Sequence, residues 1–245
     1  MTEERVLEVW EQGLRQRPTT RGPLLATLAA HTGVEVTRLP LAALNSLLLE
    51  LRSAAFGDTL ACTADCPGCG EILDVAVSTR ELRPPGADTE SVPAEAGTAT
   101  LATQGLAVTY RALTGGDLLA VDPDGPDARL ALLRRCVVSV RPVQDPAQDP
   151  MREPVPDTVL EEVAQQLADL DPGADTTVAL TCPRCHHHWS AAFDIAEHLW
   201  ADIDGCVRRL LYEVHALARA YGWSEADVLT VSPARRQFYL EVAAQ

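Results

Sequence analysis

Apolar residues recur at helical spacing over the first 57 positions. Val6, Val9, Trp10 and Leu14 share one helical face, and Pro18 ends that pattern. A short helix is expected after Pro23. A longer one carries Leu41, Leu44, Leu47, Leu48, Leu51 and Phe56 as a broad stripe, and Gly57 is suited to stop it. The period then falls to two. TLACTA and EILDVAV read as strands on either side of a DCPGCG turn. Residues 83–97, rich in Pro, Gly and acid, read as an exposed linker. TATLAT and LAVTYRAL predict two more strands around Gln104-Gly105. They are followed by a helix starting near Thr114 or Asp117 and a further helix over ARLALLRRCVVSV.

Residues 141–157 hold five prolines and read as a second irregular stretch. DTVLEEVAQQLADL is an amphipathic helix for which Asp157 is the expected cap. The hairpin pattern then returns, with TTVAL and HHWSAAF around TCPRCH. A long helix follows, marked by Ile195, Leu199, Ile203, Val207, Leu211, Val214 and Leu217, and ends at Tyr221-Gly222. Ser224 and Asp227 form a capping-box pair with Trp223 and Val228 as a staple, and Ser232-Pro233 opens the last helix.

This pattern predicts an α+β fold, mostly helical, with a zinc ribbon split between two CPxC hairpins and a small inserted α/β segment. The expected units are an N-terminal helical region 1–57, a split ribbon 58–82 with 176–194, an inserted strand–helix segment 98–140, an amphipathic helix 157–170 and a C-terminal helical region 194–245.

Composition narrows the chemistry. The 245 residues are 47% hydrophobic, enough for a packed core, and contain no apolar run of membrane-spanning length. The acidic, amphipathic start has neither the basic head nor the apolar stretch of a signal peptide, so a cytoplasmic location is expected. The net charge of -15 argues against direct nucleic-acid binding, which needs basic groups to neutralise phosphates. All 20 basic residues are arginine. A phosphate-loop lysine, a Schiff-base lysine and a Ser–Lys dyad are therefore excluded.

The cysteines carry the main signal. Cys66 and Cys69 lie in one CPxC turn, and Cys182 and Cys185 in another. Thiols kept reduced in the cytosol remain available to metal, and two such turns facing each other supply four thiolates in the tetrahedral set that Zn2+ prefers. Four cysteines leave no open position for water or substrate, so the zinc is expected to be structural. Gly70 follows the first pair and is suited to a left-handed turn; His186 stands at the equivalent place in the second. A Cys3His site using His186 or His188 is the variant to test, and Cys62 is a spare thiol. Cys136 and Cys206 fall in apolar stripes and read as core, and His31, His198 and His215 as packed histidines.

The sequence contains no GxSxG, HExxH, GxxxxGK[ST] or GxGxxG pattern, so no enzyme activity is expected. Aromatic residues, only 4% of the chain, gather near its C-terminus. Trp223, Arg235, Arg236, Phe238 and Tyr239 are the candidate partner-binding residues, since aromatics and arginine dominate interface hot spots. Three function classes stay open on the residues alone: a protein-assembly factor, a zinc-ribbon adaptor of nucleic-acid or transcription machinery, and a thiol oxidoreductase using its CxxC pairs.

Three stretches carry a resemblance: LNSLLLELRSAAFGDTLACTADCPGCGEILDV, VALTCPRCHHHWSAAFDIAEHLWADI and VHALARAYGWSEADVLTVSPARRQFYLEV. Together they resemble the baseplate hub assembly chaperones encoded in gene clusters of tailed phages and contractile injection systems. The third is similar to the YxWSxxEIxxLP endings of those proteins. His186 departs from the glycine expected there, and the linkers are unusually acidic. The resemblance implies a non-enzymatic role in assembling a baseplate or hub, with baseplate or hub subunits as partners. It transfers no catalytic residue.

Overall fold

Leucine-rich helix α3 (Leu41–Phe56) buries Leu44, Leu48, Leu49 and Leu51. Each fully buried leucine contributes about 1.5–3 kcal/mol relative to exposure. In the computed structural model, which describes residues 2–29, 35–83, 96–144 and 154–244, this stripe forms the centre of the main core. Packed around it are α1 (Glu3–Leu14), α2 (Arg21–Ala26) and the first half of α7 (Ile195–Tyr221). Val9, Leu25, Ile195, Leu199 and Ile203 are almost wholly buried between them. Gly57 ends α3 with φ of 87°, and Gly222 ends α7 in the left-handed conformation. α1 ends at Leu14, which is half exposed rather than under the stripe.

Where the chain leaves α3 it forms an antiparallel hairpin, β1 (Thr59–Asp65) with β2 (Ile72–Ser78). A matching hairpin, β6 (Thr177–Thr181) with β7 (His188–Ala192), leads directly into α7. They are separate two-stranded sheets. Their inner faces meet across a small cleft lined by Cys62, Val75, Val77, Val178, Leu180 and Phe193. Leu60 and Val77 anchor the first hairpin in the main core.

Between the hairpins lies a second core. Strands β3 (Thr98–Thr103), β4 (Leu106–Arg111) and β5 (Val137–Pro142) form an antiparallel sheet in that order. Helix α6 (Asp157–Leu170) covers one face, burying Val159 and Val163 against Val108, Tyr110 and Val140. The β3–β4 turn is made by Gln104 and Gly105, both with positive φ, the pairing a tight two-residue hairpin needs. The expected helix over 128–140 is corrected here. α5 (Ala128–Cys136) stops at Cys136, and Val137-Val138-Ser139-Val140 continues as β5, where β-branched residues pair with β4. Asp157 does not cap α6: Pro156 occupies the N-cap, and Asp157 instead pairs with Arg134 at 2.8 Å. Most of the two expected irregular stretches lies outside the described residues.

Short helix α4 (Gly115–Ala120) starts with a full capping box between Thr114 and Asp117. At the other end, α8 (Glu225–Thr230) has the expected Ser224–Asp227 capping box, and α9 (Pro233–Ala243) folds back on α7. Arg236 fastens it, bonding Glu3 of α1 at 2.6 Å and Glu213 of α7 at 3.0 Å.

Gly13 tests the α1–α7 packing. A Cβ there would lie 2.2 Å from Cζ3 of Trp200, a buried ring covered on another side by the Arg21 guanidinium, 4.3 Å from its centroid. Gly→Ala inside a helix ordinarily stabilises by up to about 1 kcal/mol. Here the sign reverses. Gly13→Ala is expected to destabilise the protein by about 1–3 kcal/mol, read from urea denaturation.

Candidate metal centre

Each CPxC pair sits at the tip of its hairpin in a turn with the same construction. The Cys66 N–H donates to Glu71 O at 2.8 Å and the Gly70 N–H to Cys66 O at 2.9 Å. In the second turn the Cys182 N–H donates to His187 O at 2.9 Å and the His186 N–H to Cys182 O at 3.0 Å. Closing such a turn requires a left-handed residue, and the two found there are Gly70 (φ 70°) and His186 (φ 57°). His186 thus takes the glycine position of the second turn. L-residues lose about 1–2 kcal/mol in this conformation. His186→Gly is therefore expected to retain its metal content and gain about 0.5–1 kcal/mol in thermal unfolding. A fall in bound zinc would instead mark His186 as a ligand.

The two tips meet. Cys66 Sγ lies 3.6 Å from Cys185 Sγ, and Cys69 Sγ lies 3.7 Å from Cys182 Sγ, so each short contact crosses from one hairpin to the other. All four ligand atoms fall within 4.8 Å of one another. Those contacts are too long for disulfides, and the cysteines are free thiols. They match a tetrahedron of sulfurs around an ion with ~2.3 Å bonds, whose edges are about 3.8 Å. Residues 119 positions apart in sequence thus form one donor set of the kind that suits Zn2+.

The surroundings push Cys182 and Cys185 in opposite directions. Burial alone would raise the Cys182 thiol, but the N–H groups of Cys185 and Arg184, with neighbouring S–H groups, bring it down to about 7. The His187 N–H works to lower Cys185, but desolvation and the other thiols push it up to about 12. A quartet of sulfurs with one proton easily lost and another tightly held is one in which a divalent cation replaces protons, so metal uptake releases protons. Cys66 and Cys182 are buried, whereas Cys69 and Cys185 face the exterior. Gly68 packs against His187 across the junction, and Arg184 pairs with Glu71 at 3.0 Å, a cross-link between the turns beside the sulfurs.

Neither pair starts a helix, so no helix dipole activates a leading thiol as a dithiol redox centre would need. His188 bonds Thr181 through Nδ1 at 2.8 Å, and His187 stacks on Trp189. Cys62 lies in β1, 3.5 Å from Val75 O. Cys136 is fully buried, and burial raises its thiol to about 11; Cys206 is half-buried in α7. His198 stacks face to face on Phe193, His215 is exposed, and His31 lies outside the described residues.

Of the five C-terminal candidates, Trp223, Phe238 and Tyr239 join Tyr221 in one ring cluster, with neighbouring centroids 5.1–5.9 Å apart. Phe238 is 62% exposed. Arg235 lies 3.5 Å from the Tyr239 hydroxyl. Arg236 points inward, 2% exposed, and belongs to the α1–α7–α9 clamp rather than to the surface. The double-arginine sequence gives no sign of this division, because it depends on the distant Glu3.

Among the described residues no helix is long and apolar enough to cross a membrane. A family described as T4 bacteriophage base plate protein matches residues 23–200, a span containing both cysteine turns, and the chain belongs to that family. Neither the curated proteins nor the solved structures contain a match to it.

Proposed function

We propose, from its membership of the T4 base plate protein family, that this chain is a non-enzymatic assembly factor for a phage-like baseplate or hub. It holds one structural Zn2+ on Cys66, Cys69, Cys182 and Cys185. The convergence of these four thiols is the observation that carries the reading. Four thiolates fill a tetrahedral ion and leave it no position for water or substrate, so the metal's contribution is rigidity. It ties the hairpin that leaves α3 to the hairpin that enters α7. The segment between them, with its own three-stranded sheet, becomes a closed loop pinned at its base.

The rings of Tyr221, Trp223, Phe238 and Tyr239, with Arg235 beside them, then form a presented surface for a baseplate or hub subunit. Aromatic and arginine side chains are enriched at interface hot spots, which suits a docking contact. Co-expression of the tagged chain with the baseplate and hub subunits of its gene cluster tests the reading. One such subunit should co-purify and be lost in the Trp223→Ala/Phe238→Ala variant. Recovery of none would overturn it.

A further inference from the structure

We infer that the outer face of α7 is a second docking surface, and that its partner is an acidic amphipathic segment of another protein. The proposal rests on the assembly-factor reading only for the origin of that partner.

The chain carries -15 overall, yet from Gly205 to Tyr221 its longest helix has three arginines, one histidine and a single carboxylate, Glu213. Glu213 points toward α9, where Arg236 binds it. The two carboxylates just before this stretch are also occupied: Asp202 bonds Arg52 at 3.1 Å, and Asp204 accepts from both Trp10 Nε1 at 2.8 Å and Arg208 Nε at 2.7 Å. Arg208, Tyr212, His215 and Arg219 are spaced four, three and four apart, which places them on one stripe of a helix. All four are exposed. Arg209 and Arg219 have no carboxylate within ion-pair distance among the described residues. Along this stripe of α7 the outward charged side chains are arginines, opposite in sign to the chain's total.

The same face has an apolar floor. Trp10, Leu211 and Tyr212 line a shallow groove of about 400 Å³ between α1 and α7, with Arg208 and His215 on its rim. Tyr212 is 76% exposed, an unusual position for a large ring unless something covers it. An apolar groove edged by cations fits a helix with leucine-like anchors on one face and carboxylates beside them. A basic or purely polar partner would leave either the charges or the groove unmatched.

The probe is a labelled synthetic amphipathic helix of Glu, Ala and Leu with one Trp on its apolar face, followed by fluorescence anisotropy with the full, zinc-loaded chain. A control peptide replaces every Glu with Lys. The acidic peptide should bind, at least tenfold more weakly in high salt than in low, and the basic control should not. Tyr212→Ala and the Arg209→Glu/Arg219→Glu double variant should each weaken binding tenfold or more. Their melting curves should be unchanged, because these side chains are exposed. Equal binding of both peptides, or no effect of the variants, would overturn the proposal. So would displacement of the peptide by a single-stranded oligonucleotide, which assigns the face to nucleic acid. Dimerisation of the chain abolished by the same variants would assign it to a second copy and also overturn it. Loss of the baseplate pulldown with peptide binding intact rejects the assembly role and leaves this face standing; the converse rejects this face alone.

Discussion

Replacing Cys182 with serine is expected to abolish stoichiometric zinc binding and lower the melting temperature by about 8–16 °C. A ligand present at about a thousand times its dissociation constant stabilises the folded state by about 4 kcal/mol. For a chain of this length each kcal/mol moves the midpoint by roughly 2–4 °C. Cys182 is the sharpest choice because it is buried and its thiol is brought down to about 7. The wild-type chain treated with a strong chelator should melt like the variant. Inductively coupled plasma spectrometry should find one zinc per wild-type chain and none in either case. A wild-type chain purified without zinc and melting normally would reject the structural-metal reading. The contacts of Leu60, Val77 and Ile195 with the main core should keep the first hairpin and α7 folded, so far-ultraviolet circular dichroism at low temperature should change little.

Asp117→Asn should destabilise the fold by about 3–5 kcal/mol, the cost of breaking a buried ion pair. The Asp117 carboxylate is 1% exposed and accepts from Arg111 at 2.6 and 3.0 Å, Arg135 at 2.8 Å and the Thr114 N–H and hydroxyl at 3.0 Å. It joins β4, α5 and the start of α4 at one point. Burial works to raise its pKa, but Arg111, Thr114 and Arg135 outweigh it and hold the group at about 2, against an ordinary 3.8. A carboxylate depressed on folding stabilises above its unfolded value and loses that contribution as pH falls toward the folded one. The Asp117 contribution is therefore complete above about pH 4, declines between about pH 4 and pH 2, and amounts to roughly 2 kcal/mol. Denaturant titrations across that window should give a shallower pH dependence for Asp117→Asn than for the wild type. Equal slopes would mean that another carboxylate governs acid unfolding.

The cysteine turns were legible because they are local. A CPxC between two short alternating runs sets the hydrogen bonds of its own turn, and the demand for a left-handed residue after it made His186 readable as a glycine substitute. The α3 stripe, the stop at Gly57 and the Ser224–Asp227 capping box were legible for the same reason. The α5–β5 boundary was not. ARLALLRRCVVSV is apolar enough for either state, and strand pairing of Val137–Pro142 with β4 decides it. The inward turn of Arg236 and the bonding of Arg135 to Asp117 were equally hidden, since arginine reads as a surface residue until its carboxylate partner is in place.

Neighbours within a few positions were enough for most element types, for the turn chemistry of both cysteine pairs and for the donor set they offer; Val137–Pro142 was the exception. Which sulfurs face each other, which arginines are buried and which side of α7 is left outward are set by long-range packing. Those outcomes depend on groups more than 100 residues apart, brought together by burial of the α3 and α7 stripes in one core.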